Sequence, residues 1–378
     1  MKKNKLFIGA LALLMAFTTA CSSKTENTTT TSQDKDTFTY AINSDPSSTN
    51  PINVSDRWGL TMTNMIYSPL IRVEGDGSLV NELAESTELA KDGLSLTVNL
   101  KKGIKWSDGQ DFTADDVVFT YETKAKKENG NFKSLWINDK PITVEKKDDH
   151  TVVFKFPEPS AAAANNIATE TYIIPKHIYG NVSDFSVKDL QEKPVGTGPY
   201  KLVENKRGEY IKFEANENYY KGKPNVKNVV LRVIQSADTA KVALQKGEID
   251  ASYVLPTDIK DLDTNKLDVY SYSENRIGYL GLNTKTNELK DVKVRQAILY
   301  ALNKGDMNKA AYLDEKYYQN PYSILPPNNP YKTDDVEKYT QNVDKAKELL
   351  KEAGVSNLKL TLAYTSNDPA QKIQATFI

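Results

Sequence analysis

The chain has 378 residues, with 49 lysines and arginines against 50 aspartates and glutamates, a net charge of −1. That balance gives no global pull toward nucleic acid or an anionic surface, and a hydrophobic content of 39% supplies core material for two or three domains. A single cysteine excludes an intramolecular disulfide framework.

In chain order, Met1-Lys2-Lys3-Asn4-Lys5 is a basic start, and Leu6 to Phe17 is an apolar run of twelve residues. Such a run is too short to cross a hydrocarbon core of about 30 Å as a helix. Thr18-Thr19-Ala20 are small, so residues 1–20 read as a secretory signal. Cys21 follows directly and resembles the acylated cysteine of a bacterial lipobox, with Thr18 where leucine is usual. That resemblance implies diacylation of Cys21, cleavage before it, and an anchor on the outer face of the cell membrane. Residues 21–37 are polar, including Thr28 to Thr31, and cannot bury enough apolar surface to fold. They read as a flexible tether.

Alternation begins at Phe38. Leu94, Leu96, Val98 and Leu100 alternate with polar residues, and Val152, Phe154 and Phe156 repeat the pattern, so both predict half-buried strands. Val229 to Ile234 predicts a more continuous apolar strand. Thr113-Ala114-Asp115-Asp116 has capping-box spacing and predicts a helix start. Helices are expected over Asp238–Lys246, closed by Gly247, and over Val292–Leu302, with Val294, Ile298, Ala301 and Leu302 on one face. Another is expected with Val343, Ala346, Leu350 and Ala353 on its face, closed by Gly354. The class is α/β. No repeat of fixed period is present.

Catalytic patterns are lacking. The two histidines, His150 and His177, lie in loop-like surroundings and outside HExxH spacing, so no zinc site is expected. There is no GxSxG elbow. Gly196-Thr197-Gly198 resembles a phosphate loop only until Pro199, which has no N–H, and a tight turn is the better reading. Nothing selects two carboxylates as acid and base. The 21 tyrosines are mostly packing residues. The chain is expected to be no enzyme and to need no cofactor or metal.

Four ordered stretches carry a family resemblance. The most specific is Leu100-Lys101-Lys102-Gly103-Ile104-Lys105-Trp106-Ser107-Asp108-Gly109, continuing through Phe112-Thr113-Ala114-Asp115-Asp116-Val117. The others are Pro194-Val195-Gly196-Thr197-Gly198-Pro199-Tyr200, Gly247-Glu248-Ile249-Asp250-Ala251, and Gly281-Leu282-Asn283 before Val292-Lys293-Val294-Arg295-Gln296-Ala297-Ile298. From Phe38 onward the chain resembles the extracellular solute-binding proteins of family 5, the oligopeptide- and dipeptide-binding group. Read physically, these are scaffold motifs: Ser107-Asp108-Gly109 is a turn, Trp106 a core wedge, and Gly198-Pro199 a chain reversal.

The resemblance implies a two-lobed clamp of the type II periplasmic-binding-protein kind. Lobe I would cover residues 38–277, with an inserted subdomain at about 59–190. Tyr279-Leu280-Gly281-Leu282-Asn283 would be a crossing strand near the hinge, and lobe II would begin at 278. Members of the family run on past the point matching Ile378, so lobe II over 278–378 is expected to be incomplete, with Leu358, Leu360 and Leu362 on an uncovered strand face. The resemblance further implies a monomer that captures a peptide and delivers it to the permease and ATPase of an ABC importer. Asn43, Ser44 and Asp45 after the first strand, Tyr253, and Tyr279 are the candidate ligand contacts. Other cargoes, such as a nickel chelate or a sugar, and a surface role in pheromone sensing or adhesion remain as alternatives.

Overall fold

In the computed structural model the described residues are 36–378 without 75–76, 161, 169–170, 188–192, 275, 328, 330 and 367. The first sheet holds strands Thr37–Ile42, Tyr200–Lys206, Tyr210–Ala215 and Asn228–Val233. The first strand pairs parallel with the last, and the other pairings are antiparallel. Val229 and Leu231 are buried while Arg232 between them and Val233 is exposed, so this strand alternates rather than being apolar throughout. With Ile211 and Phe213 it packs against Met62, Ile66 and Tyr67 around the helix Arg57–Ile66. The Gly247-Glu248-Ile249-Asp250-Ala251 motif lengthens this sheet. Ala41 N–H donates to the Ala251 carbonyl at 3.1 Å, and the Asp250 carboxylate accepts the Thr39 N–H at 2.7 Å. The helix Ala237–Gln245, N-capped by Ser236, leads into it, and Gly247 takes the positive φ of 70° that ends a helix without a Cβ clash.

The second sheet is antiparallel, with strand order Ala84–Leu89, Ser95–Leu100, Thr151–Lys155, Thr143–Asp148, so that the last strand in the chain lies inside the sheet. The two alternating runs supply its buried face: Leu96, Val98 and Leu100 from one, Val152 and Phe154 from the other. The helix Ala114–Lys124 covers that face, and its Tyr121 ring meets Phe154 edge-on at 4.7 Å. Trp106 is fully buried in the same core, as a wedge should be. The carboxylate of Asp116 does more than cap its helix. It accepts N–H groups from Thr113 at 3.0 Å and Lys176 at 2.8 Å, and the Trp106 indole lies 3.4 Å away.

The chain leaves for this second core and returns at one place. Pro69 bridges Tyr172, and the Ile173 N–H donates to the Ser68 carbonyl at 3.1 Å. The separately cored part therefore runs from about Leu70 to Ile173, narrower than the 59–190 expected. The helix Arg57–Ile66 and the segment from Ile174 to Phe185 pack instead into the core of the first sheet. His177 sits on a short helical turn, Lys176–Tyr179, rather than in a loop, and its Nε2 is 2.7 Å from Asp108. His150 lies in the turn between two strands, as expected.

Beyond Ala251 the regular elements are helical. Val292–Ala301 packs on Val343–Glu352 through Ala297, Ala346 and Leu349, and Lys304–Tyr312 packs on Pro369–Ala375 through Ala311 and Ala370. The buried stripes differ from the expected faces: Ala301 and Val343 are exposed, while Ala297 and Leu349 are inside. Small alanines let the helices approach closely, and the partner's position, not the apolar count of one helix, selects the stripe. The expected strand at Tyr279–Asn283 carries no sheet pairing among the described residues, and Leu360 and Leu362 are exposed. Among the described residues no helix is long and apolar enough to cross a membrane.

Candidate functional site

The first strand ends at Ile42, and the chain turns away through Asn43-Ser44-Asp45. Asn43 is fixed at once, because its Oδ1 accepts the Trp58 indole N–H at 2.7 Å. Trp58 is held there by the start of its helix, where the Asp56 side chain accepts the Gly59 N–H at 3.0 Å as the N-cap. The Trp58 ring stands 6.2 Å from Tyr40, making a half-buried aromatic wall at the end of the sheet.

The segment that carries Tyr272, Glu274 and Arg276 approaches this wall, where Tyr40 feels Tyr272, Arg57 and Glu274 electrostatically. Glu274 Oε1 lies 2.7 Å from Arg57 Nη2, and its other oxygen is 3.3 Å from Arg276 Nη2. The hydrogen bond that Arg57 donates to Glu274 raises the pKa of its guanidinium further. Tyr253 and Tyr312 feel the charges of both Glu274 and Arg276. Burial is the main cause of their shifts, pushing Tyr253 up to about 12 and Tyr312 upward as well. Burial also raises Tyr40. These phenols therefore stay protonated and offer O–H donors at ordinary pH.

Of the residues expected from sequence, Asn43 and Tyr253 lie in this cluster, and Ser44 is exposed beside it. Asp45 is committed elsewhere. Both its oxygens accept the Gly208 N–H, at 3.0 and 2.9 Å, tying the first strand's exit to the hairpin between Lys206 and Tyr210. Tyr279 is 86% exposed and lines an open cavity of about 460 Å³ with Ile277, Ile324 and Pro326. Cys21 lies outside the described residues. Sequence reasoning missed Arg57, Trp58, Glu274, Arg276 and Tyr312. The period-two run Tyr270, Tyr272, Glu274, Arg276 was the signal that could have flagged part of this set.

The cluster holds cations, hydrogen-bond donors and aromatic faces. It places no histidine or nucleophile–base pair together, and no group of His, Cys, Asp or Glu able to hold a metal ion occurs among the described residues. Its chemistry is that of holding polar and anionic groups against rings.

Known proteins resemble this chain over most of its length. It is 36% identical over 373 residues to the oligopeptide-binding protein AppA of Bacillus subtilis, covering 94% of this chain and 67% of that protein. It is 31% identical over 311 residues to the dipeptide-binding protein of Escherichia coli, covering 77% of this chain and 58% of the relative. The crystal structure of the ABC transporter substrate-binding protein CtaP of Listeria monocytogenes superposes with a TM-score of 0.79 at 37% identity, over 90% of this chain and 70% of that one. The chain thus spans less than the full length of each. The mixed α/β fold is that of the two-lobed clamps. The profile described as bacterial extracellular solute-binding proteins, family 5 Middle, matches residues 78–378, and the chain belongs to that family.

Proposed function

We propose that this chain is the solute-binding component of an ABC importer and captures peptides outside the cell. The observation that carries the reading is the cluster at the end of the first strand, where Arg57, Glu274 and Arg276 meet between aromatic residues. Such a set can hold the charged and polar groups of a peptide while leaving its side chains unspecified. The similarity to proteins named for oligopeptide and dipeptide binding supports the same cargo. The permease and ATPase of the importer are the proposed partners, and the protein acts as a monomer that binds and releases its cargo without chemistry. Isothermal titration of the purified full-length protein with mixed di- and oligopeptides is expected to give saturable binding with a Kd on the order of micromolar or tighter. Absence of heat from every peptide sinks this reading.

Diacylation of Cys21 anchors the protein on the outer face of the cell membrane, with residues 22–37 as its tether. The basic start, the apolar run and the placement of the only cysteine support this. Fractionation of cells is expected to find the wild type with membranes, and Cys21→Ala is expected to be released or left unprocessed. Membrane retention of correctly cleaved Cys21→Ala refutes the anchor.

A further inference from the structure

The segment 43–47, which follows the first strand, is tied to three places by three of its residues. Asn43 Oδ1 accepts the Trp58 indole N–H at 2.7 Å, from the first turn of the helix Arg57–Ile66. Asp45 accepts the Gly208 N–H with both oxygens, at 3.0 and 2.9 Å, on the hairpin between Lys206 and Tyr210. Ser47 donates twice to Asp56 Oδ2, from its Oγ at 2.5 Å and from its N–H at 3.2 Å, and Asp56 caps the same helix. Pro46, buried between Asp45 and Ser47, fixes its own φ and narrows the backbone of Asp45. The two outer ties thus reach the start of the helix that presents Arg57 and Trp58, and the middle tie reaches the sheet. The sheet end is closed at this point: the Ile42 carbonyl accepts the Ile234 N–H, and the Glu209 carbonyl accepts the Val233 N–H, each at 2.8 Å. The hairpin tip is open around Gly208, where an added Cβ would meet nothing within 4 Å, so a hydrogen bond rather than packing makes the middle tie.

We infer that Asp45 is a positioning residue of the candidate site. It holds the segment 43–47 against the sheet. Through Asn43 and Ser47 the segment then holds the Trp58 ring and the helix start that carries Arg57. A site set before its ligand arrives loses less freedom on binding and binds more tightly. The inference rests on the peptide-binding reading and adds a residue that acts on affinity through Trp58 and Arg57.

The test pairs peptide titration with fluorine NMR of the full-length protein labelled with 5-fluorotryptophan. Its three tryptophans, Trp58, Trp106 and Trp136, give three signals, and Trp58→Phe assigns the one that matters. The ligand is whichever peptide of the mixed di- and oligopeptide set gives the largest heat. Asp45→Ala is expected to weaken its binding by about tenfold. The melting temperature is expected to fall by no more than about 4 °C, because the bond to Gly208 is exposed. In the peptide-free variant the Trp58 signal should shift or broaden, while those of Trp106 and Trp136 stay in place. Asp45→Asn keeps an acceptor oxygen for the Gly208 N–H and is expected to bind within about threefold of wild type. Wild-type affinity in Asp45→Ala, an unmoved Trp58 signal, or an Asp45→Asn as weak as Asp45→Ala overturns this inference and leaves peptide capture standing. Failure of the wild type to bind any peptide of the set overturns both.

Discussion

Gly196→Ala is expected to destabilise the protein by about 3–4 kcal/mol, among the largest effects of any single methyl addition. A Cβ at Gly196 would lie 1.9 Å from the Ile66 carbonyl oxygen, at the end of the helix that carries Arg57 and Trp58. Neither side can yield cheaply. Gly198 N–H donates to that same oxygen at 2.8 Å, and the Gly196 carbonyl accepts the Ser107 N–H at 2.9 Å. Gly103→Ala provides the contrast. Its φ is 74°, and nothing lies within 4 Å of the added Cβ, so only backbone strain of about 1–2 kcal/mol is expected. Thermal unfolding of the two variants against wild type checks the pair. A Gly196→Ala midpoint no lower than that of Gly103→Ala would show that the close approach to Ile66 does not exist in solution.

Glu82→Gln is expected to cost about 2 kcal/mol near neutral pH and almost nothing in acid. Glu82 is buried where the second sheet meets the Tyr219-Tyr220-Lys221 segment. It accepts the Arg72 Nε at 3.0 Å, the Tyr220 hydroxyl at 2.6 Å and the Lys221 ammonium. Burial alone would push its carboxyl up, but the hydrogen bonds from Lys221, Tyr220 and Arg72 together outweigh that and hold it below its ordinary range. A carboxyl depressed on folding contributes stability that is fully present above its unfolded pKa of about 4.3 and is lost as pH falls through the lower folded value. Melting temperature against pH for wild type and variant should therefore diverge above that window and converge below it. Parallel curves across the whole range would mean that Glu82 loses packing rather than charge on substitution. The partially exposed cations Arg72 and Lys221 keep the expected loss below that of a fully buried pair.

Local pattern accounts for much of the fold. The alternation at Leu96, Val98, Leu100 and at Val152, Phe154 could only bury one face, and the second sheet does so. Trp106 was identifiable as a wedge because a side chain of that size amid a turn motif needs a core to fill. The Gly196-Thr197-Gly198-Pro199 turn was readable as a turn, yet the reason for its first glycine was not, because the Ile66 carbonyl that excludes a side chain comes from a distant helix.

The candidate site divides in the same way. The sequence by itself placed Asn43 just after the first strand, since that follows from neighbours within a few residues. Only the tertiary structure decided that Arg57 meets Glu274 across 217 residues of chain, and that Asp45 turns to Gly208 across 163 and so is spent on a hairpin. Backbone propensity and apolar periodicity act over one or two turns of chain and fix which way a side chain faces. Which charge waits on that side is set by how the sheets and helices pack, and no local pattern encodes it.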